Sequence, residues 1–218
     1  GAATVTDDVE GEVISTADTS AITDTQIHDE LSKMRGTIMQ RPSSVSAVKI
    51  DGERAYDRVR SGEEVVLPSR EVTISQLDVL AIRRVEKGIE IDIEVTCSSG
   101  TFIRAIARDC GDALGVGGHL NSLRRSRVAG FGLDRAVSLA QLKGGDFSTL
   151  DLADVARATF PAREIQLDEK HELSFGRTLV ANPDDQIYAG ISATNELIAL
   201  LQNVGGKAKP IAVFAAAQ

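Results

Sequence analysis

Three stretches of this chain combine residue types and spacings that could do chemistry. In Ser99-Gly100-Thr101-Phe102-Ile103-Arg104, small residues close a strand and open a helix. Backbone N–H groups at such a helix start can meet a phosphate or carboxylate, and Arg104, one turn in, adds a fixed charge. The same spacing also fits an ordinary strand-to-helix turn with a surface arginine. The second stretch is His119-Leu120-Asn121-Ser122-Leu123-Arg124-Arg125. Read as a strand, it puts His119, Asn121, Leu123 and Arg125 on one face and Leu120, Ser122 and Arg124 on the other. Arginine there could hold phosphate in a two-pronged contact or stack on a base. A lone histidine is more often structural than catalytic. The third, Lys49-Ile50-Asp51-Gly52-Glu53-Arg54-Ala55-Tyr56, is a hairpin tip that brings an aromatic among basic neighbours. That is the composition of an RNA platform, although Tyr56 could equally be a core tyrosine.

Other chemistries find no support. Zinc-ligand spacing, a phosphate-binding glycine loop, a dinucleotide fingerprint and a Ser-His-Asp signature are all missing from the sequence. Cys97 and Cys110 are too few for a disulfide framework and read as reduced, partly buried thiols of a cytoplasmic protein. A thiol enzyme using either cysteine with His119 is a weak alternative.

The elements that must position these residues follow from patterning. Thr23 and Gln26 have capping-box spacing, and Ile27, Leu31 and Met34 continue at helical spacing toward a stop at Gly36. Val45 to Ile50 reads as a short strand before the Asp51-Gly52 turn, and Arg54 to Arg60 as a short helix. Val72, Ile74, Leu77, Val79 and Ile82 predict a long, bulged strand. Ile89, Ile91, Ile93, Val95 and Cys97 alternate with Glu90, Asp92, Glu94 and Thr96, predicting a half-buried partner strand with Lys87-Gly88 at the hairpin tip. A helix from Thr101 to about Leu114 follows, then a strand from His119 to Val128. Ser138 to Leu142 reads as helical, and Gly144-Gly145-Asp146 as a linker. Beyond it, helices at Leu152 to Thr159 and Asp168 to Phe175 precede strands at Ile187 to Ala193, Glu196 to Gln202 and Pro210 to Ala215. The pattern predicts two domains, residues 1–145 and 150–218, the second mainly β.

Charge is distributed unevenly. The chain of 218 residues has a net charge of -8, which argues against indiscriminate nucleic-acid binding over the whole surface. Residues 1–32 hold eight acids and no Lys or Arg, whereas 33–60 hold seven basic residues against three acids. Five arginines (Arg104, Arg108, Arg124, Arg125, Arg127) lie between Phe102 and Arg127, against Asp109 and Asp112. Two positive zones in an acidic chain suit a protein that grips phosphates on one face only, although solvated faces paired with nearby acids would look the same. The second domain carries a surplus of acids and makes a poor electrostatic anchor.

Taken together, these stretches resemble the TruB family, which isomerises uridine to pseudouridine in the T-loop of tRNA, at position 55. Residues Thr4 to Val13 are similar to the family's acidic strand-and-turn segment. Gly36-Thr37-Ile38-Met39-Gln40-Arg41-Pro42, Ser46-Ala47-Val48-Lys49 and Gly52-Glu53-Arg54-Ala55-Tyr56 resemble its central motif, with Ser43 and Val45 where the family more often has Pro and Tyr. Cys97 to Arg104 and Gly118 to Arg125 resemble the remaining active-site stretches. The likeness covers about Thr4 to Leu142; the tail around Lys209 to Phe214 resembles, less closely, a PUA-like domain.

The resemblance implies an α+β fold: a mixed, mainly antiparallel synthase sheet, then a small PUA-like RNA-binding β domain. It implies an isomerase of the cytoplasm that takes the T stem-loop of tRNA, works as a monomer, and uses neither DNA, membrane, metal nor redox cofactor. Phe102 falls where an aromatic packs on the flipped uracil, and Arg104 where an arginine partners the catalytic aspartate. Leu123 belongs to the hydrophobic wall, with Arg124 and Arg125 beside it; Lys49 and Tyr56 lie in the substrate-binding motif. A uridine taken out of its stack needs such a pocket to replace the lost stacking. The nucleophilic aspartate of the family lies in a Gly-x-Leu-Asp-x-x-Ala-x-Gly motif, followed by a catalytic tyrosine, and both are expected before Gly1. Gly132-Leu133-Asp134-Arg135-Ala136 echoes the motif only in part and in the wrong place, and Asp7, Asp8 and Asp109 have no better claim. The chain by itself is therefore expected to be inactive. The alternative is a tRNA-binding or tRNA-folding module without catalysis.

Overall fold

Alternation of apolar and polar residues makes a strand with one buried face, and two such runs, one strict and one interrupted by bulges, form the spine of the N-terminal part of the molecule. In the computed structural model, which describes residues 1–43, 67–183 and 186–215 and the backbone of 49–50 and 53–54, these runs are strands Arg70–Val85 and Gly88–Cys97. In chain order the first elements are β1 (Ala2–Thr4), β2 (Val13–Thr16), α1 (Asp24–Ser32), β3 (Gly36–Gln40), β4 (Lys49–Ile50) and β5 (Glu53–Arg54). The two long strands are β6 (Arg70–Val85) and β7 (Gly88–Cys97), followed by helix α2 (Ile103–Ala113). By packing, the chain divides into two units, Gly1–Arg124 and Arg125–Gln218.

In the first unit, β3, β6 and β7 form an antiparallel sheet in that order. The β6–β7 register runs from Ile74↔Cys97 to Val85↔Gly88 and slips at Ile74/Gln76 and Val79/Ala81, the bulges expected in a strand this long. One face of the sheet packs on α1 and α2: Ile74 and Leu77 meet Ile27, Leu31, Ile106 and Cys110 in a buried cluster. Helix α1 opens with the expected capping box, Thr23 Oγ1 accepting from Gln26 N and Gln26 Oε1 accepting from Thr23 N at 2.9 Å. It ends at Ser32, and Gly36, at φ +87°, opens β3 instead of closing the helix. Strand β3, unforeseen from its pattern, pairs residue for residue with β6, from Gly36↔Ile74 to Gln40↔Arg70. The predicted helix at Arg54 to Arg60 and most of the Val45 to Ile50 strand lie outside the described residues; Lys49–Ile50 pairs with Glu53–Arg54.

Of the predicted strand from His119 to Val128, only the end, Arg127–Val128, forms. Residues 121–126 are exposed and belong to no strand, and among the described residues the segment 119–126 makes one isolated parallel bridge, Asp8↔Leu120. Alternating side chains make a strand only where a partner offers its backbone, and among the described residues none lies alongside 121–126.

The second unit holds β8 (Arg127–Val128), β9 (Phe131–Gly132), a 3-10 turn (Leu133–Arg135), α3 (Leu139–Gly144), α4 (Leu152–Thr159), β10 (Ala162–Ile165), α5 (Leu167–Ser174), β11 (Leu179–Val180), β12 (Tyr188–Ser192), β13 (Leu197–Val204) and β14 (Lys207–Val213). The Gly144-Gly145-Asp146 segment lies inside this unit, between α3 and α4, with Gly145 at φ +74° as the helix C-cap. Residues upstream of it are tied in through the β8–β9 turn: a Cβ on Gly130 would come within 2.8 Å of the Ala158 carbonyl on α4. The sheet order is β10-β12-β13-β14-β11, with β10 parallel to β12 and the other pairs antiparallel. Tyr188, Leu173, Ile198 and Leu201 fill its core. The architecture is α+β with mainly antiparallel sheets, as the sequence implies.

Candidate active site

The Cys97-to-Arg104 run begins where β7 leaves the sheet. Ser98 N donates to Thr73 O at 2.8 Å and Ser98 Oγ accepts from Thr73 N at 3.0 Å, which holds the chain against β6 for one residue more. Gly100, at φ +87°, then turns the chain, a conformation that excludes most side chains. Phe102 is the N-cap of α2 and has no side chain suited to capping.

The cap comes from across the sheet. Gln40, at the end of β3 and 1% exposed, accepts from Phe102 N through Oε1 at 2.8 Å and donates through Nε2 to Phe102 O at 3.0 Å. Its cross-strand partner Arg70 lays its guanidinium over the Phe102 ring, 4.6 Å from the centroid. One residue pair thus grips Phe102 by backbone and by ring. The Phe102 N–H is engaged by Gln40, so this amide at the helix start is already satisfied by a protein group.

Arg104, in the first turn of α2, forms an ion pair from Nε to Asp8 Oδ2 at 2.9 Å. Asp8 also accepts through Oδ1 from Thr6 Oγ1 at 2.6 Å and from Glu10 N at 3.1 Å, so the carboxylate is fixed on several sides. One helical turn beyond Arg104, Arg108 pairs with Asp7 at 3.0 Å. Two adjacent aspartates in the β1–β2 turn therefore meet two arginines four residues apart on one face of α2.

The chain after α2 reaches this turn because glycines let it fold back on the helix. A Cβ on Gly118 would lie 2.2 Å from the Ala107 carbonyl oxygen, and one on Gly111 2.2 Å from the Gly117 carbonyl carbon. The returning chain then bonds to the aspartate turn, Leu120 N to Asp7 O and Val9 N to Leu120 O, both at 2.9 Å. The result is an open cleft of about 200 Å³ lined by Asp8, Val9, Glu10, Arg104, Leu120, Asn121, Ser122 and Leu123. It has a charged floor, the Asp8–Arg104 pair, and an apolar rim, Leu120 and Leu123.

Of the residues singled out from sequence, Arg104 and Leu123 meet in this cleft. Phe102 stands two residues before Arg104 and faces Arg70 rather than lining the cleft. Arg124 is exposed and outside the lining; Arg125 is exposed and opens the second unit. Lys49 is placed only by its backbone in β4, and Tyr56 lies outside the described residues. Asp134 sits in the exposed 3-10 turn of the second unit. His119 engages the Ala2 carbonyl through Nδ1 at 2.9 Å, and Cys110 is buried in the core, where burial pushes its thiol up to about 11. That is an inert thiol, not a nucleophile. Among the described residues no group of three or more His, Cys, Asp or Glu side chains could hold a metal ion, and no helix is long and apolar enough to cross a membrane.

Sequence reading passed over Asp8, Asp7, Arg108 and Gln40 as working parts. The four-residue spacing of Arg104 and Arg108 on a helix, with adjacent aspartates elsewhere, was the available signal for three of them. Nothing in the sequence alone marks Gln40.

Residues 1–103 match the N-terminal domain of the TruB family pseudouridylate synthases, 104–159 the tRNA pseudouridylate synthase B C-terminal domain, and 160–215 the family described as tRNA pseudouridine synthase II, C terminal. The chain is 48% identical to the tRNA pseudouridine synthase B of an Arthrobacter species, over 99% of this chain and 74% of that one. It is 47% identical to the enzyme of the same name from Mycobacteroides abscessus, over 98% and 72%. Among solved structures it resembles a chain of a Cbf5-Nop10-Gar1 complex, with a TM-score of 0.66, 19% identity, and coverage of 91% of this chain and 64% of that one. The chain thus spans about two thirds of the solved chain and about three quarters of the two relatives.

Proposed function

The chain belongs to the TruB family of pseudouridylate synthases, and from this premise we propose that it is the base-pocket and arginine-bearing part of an enzyme that isomerises uridine to pseudouridine in tRNA, at position 55 of the T-loop. The observation that carries the reading is the Asp8–Arg104 pair at the floor of a cleft with an apolar rim.

The reaction exchanges the glycosidic C–N bond for a C–C bond and moves a proton from carbon to nitrogen. It consumes no co-substrate and needs no metal or redox group. A flipped uracil loses its stacking neighbours, and Leu123 at the rim replaces part of them; the ring of Phe102 joins it only if Arg70 moves off its face. Arg104 keeps the nucleophilic carboxylate ionised and aimed, while Asp8 fixes the guanidinium from the opposite side. The nucleophile is an aspartate in a Gly-x-Leu-Asp-x-x-Ala-x-Gly segment outside these 218 residues, since no such motif occurs in them. After the covalent adduct forms, the base turns within the pocket and rejoins the sugar through carbon.

Lys49, Tyr56, Arg124 and Arg125 contact the T stem-loop, with residues 1–145 as the catalytic part, which runs past the division of the packed units at Arg124, and 150–218 as a PUA-like part that adds RNA surface. The enzyme acts as a monomer in the cytoplasm. Residues 1–218 alone bind a T stem-loop but leave its uridine unconverted; conversion by this chain alone would refute the assignment of the nucleophile. In the full-length protein, Arg104→Ala loses turnover by about 10³-fold or more with tRNA affinity changed only a few-fold. Equal losses in both would make Arg104 a plain phosphate contact.

A further inference from the structure

The Asp8–Arg104 pair does not stand alone: the residue before Asp8 and the residue one turn after Arg104 form a second, deeper pair. Arg108 is 8% exposed, although nothing in the proposed reaction requires a buried arginine there. Its donors reach three separate segments. Nη1 donates to Asp7 Oδ2 at 3.0 Å, Nη2 to the Arg41 carbonyl at 2.8 Å, and Nε to Asp109 Oδ1 at 2.8 Å. Asp7 Oδ2 also accepts from Ser43 Oγ. The guanidinium thus joins α2, the β1–β2 turn and the chain leaving β3.

The backbone of the turn makes this joint consequential. Asp7 has φ +57°, a left-handed conformation that Asp tolerates better than most residues. That twist lets neighbouring side chains, which would diverge in a strand, both face α2. Asp7 then meets Arg108 and Asp8 meets Arg104. Two adjacent carboxylates repel each other, and each is matched by its own arginine. Without Arg108, Asp7 would keep, among the described residues, the Ser43 hydroxyl as its side-chain partner while buried, and a buried carboxylate so poorly paired turns toward water. The peptide that carries Asp8 would turn with it.

We infer that Arg108 is a positioning residue for the reaction: through Asp7 it sets the twist of the Asp7–Asp8 turn, which places Asp8 against Arg104, and through the Arg41 carbonyl it locks the end of β3 to the same point. The inference rests on the proposed role of Arg104. Displacement of a catalytic group by about an ångström can lower turnover by about 10²-fold, and this is the upper bound of the loss assigned to removing Arg108.

The test uses the full-length protein, a T-stem-loop substrate and the variants Arg108→Met, Arg108→Lys, Asp7→Asn and Arg104→Lys. Arg108→Met is expected to lower kcat by about 10–10²-fold with KM and RNA affinity changed by less than about threefold. Arg108→Lys, which keeps the charge but not the three-way fork, recovers part of the loss. Asp7→Asn keeps the left-handed turn and should lower kcat even if Arg108→Met fails to fold. The decisive readout is the combination with Arg104→Lys. If Arg108 acts through Arg104, Arg108→Met or Asp7→Asn lowers kcat little further in that background. A full, multiplied loss, or a lowered unfolding temperature with kcat intact, overturns the inference and leaves the role of Arg104 standing. An Arg104→Lys protein with undiminished turnover overturns the role of Arg104 and this inference with it.

Discussion

Gln40 offers a sharp test of how α2 is held, because one side chain anchors the helix start from another strand. Replacement by Leu keeps the length and much of the volume of the side chain but removes both hydrogen bonds to Phe102, of 2.8 and 3.0 Å. Each is worth about 0.5–1.5 kcal/mol net, so the pair amounts to about 1–3 kcal/mol. Phe102 is half-buried, and the two bonds are part-buried, which keeps the loss from growing to the full cost of two orphaned groups. We expect Gln40→Leu to lose about 2 kcal/mol of unfolding free energy, a shift of about 1 M in the urea midpoint for an m-value of about 2 kcal/mol/M. Gln40→Glu separates the two bonds: it can still accept from Phe102 N–H but faces the Phe102 carbonyl with a second acceptor, and buries a charge. It should be at least as destabilised as Gln40→Leu, and recover in part at low pH, where the protonated carboxyl can again donate. Urea unfolding followed by circular dichroism, with T-stem-loop turnover measured on the same samples, reads both effects. If Gln40→Leu unfolds within about 0.5 kcal/mol of the parent, the amide bridge does not hold the helix start and the reasoning fails.

Other expectations follow from the same packing. Gly118→Ala would force its Cβ against the Ala107 carbonyl, 2.2 Å away, so the returning chain must shift; we expect a loss of about 1–3 kcal/mol and a fall in turnover, and unchanged values for both would refute the close approach. Cys110, its thiol raised to about 11 by burial, should react with iodoacetamide at pH 8 about 100-fold more slowly than in the urea-unfolded chain, and the native rate should climb with pH toward that value. By linkage, a thiol that ionises more easily when unfolded makes the fold less stable as pH rises from about 8.5 toward 11, so a Cys110→Ala protein should show a flatter alkaline decline in urea midpoint than the parent.

How much of this was legible in the sequence depended on the range of the interaction. The β6–β7 hairpin, the α1 capping box and the helices at 152–159 and 139–144 are written in local periodicity and caps, and they appear within a few residues of their expected limits. The expected strand at His119 to Val128 failed before Arg127 because alternation says nothing about whether a partner backbone is present. Strand β3 was missed for the converse reason: Gly36-Thr37-Ile38-Met39-Gln40 has little period of its own, and pairing with β6 makes it a strand. At the site, the resemblance gave Arg104 and Leu123 their place. The partners of Arg104 and Arg108 lie about a hundred residues away, in a turn whose left-handed Asp7 cannot be read from residue types. Residue types alone offer Asp8 as a poor candidate nucleophile, whereas in the structure it is the counter-charge of Arg104.

The central claim is that this chain builds the base pocket of a tRNA uridine isomerase around Arg104. The most direct measurement is a map of pseudouridine in an unmodified tRNA transcript after incubation with the full-length protein and with its Arg104→Ala variant. One new pseudouridine, in the T-loop, is expected with the parent protein and none on the same timescale with the variant. A T-loop uridine left untouched by the parent, or converted at the parental rate by the variant, would contradict that claim.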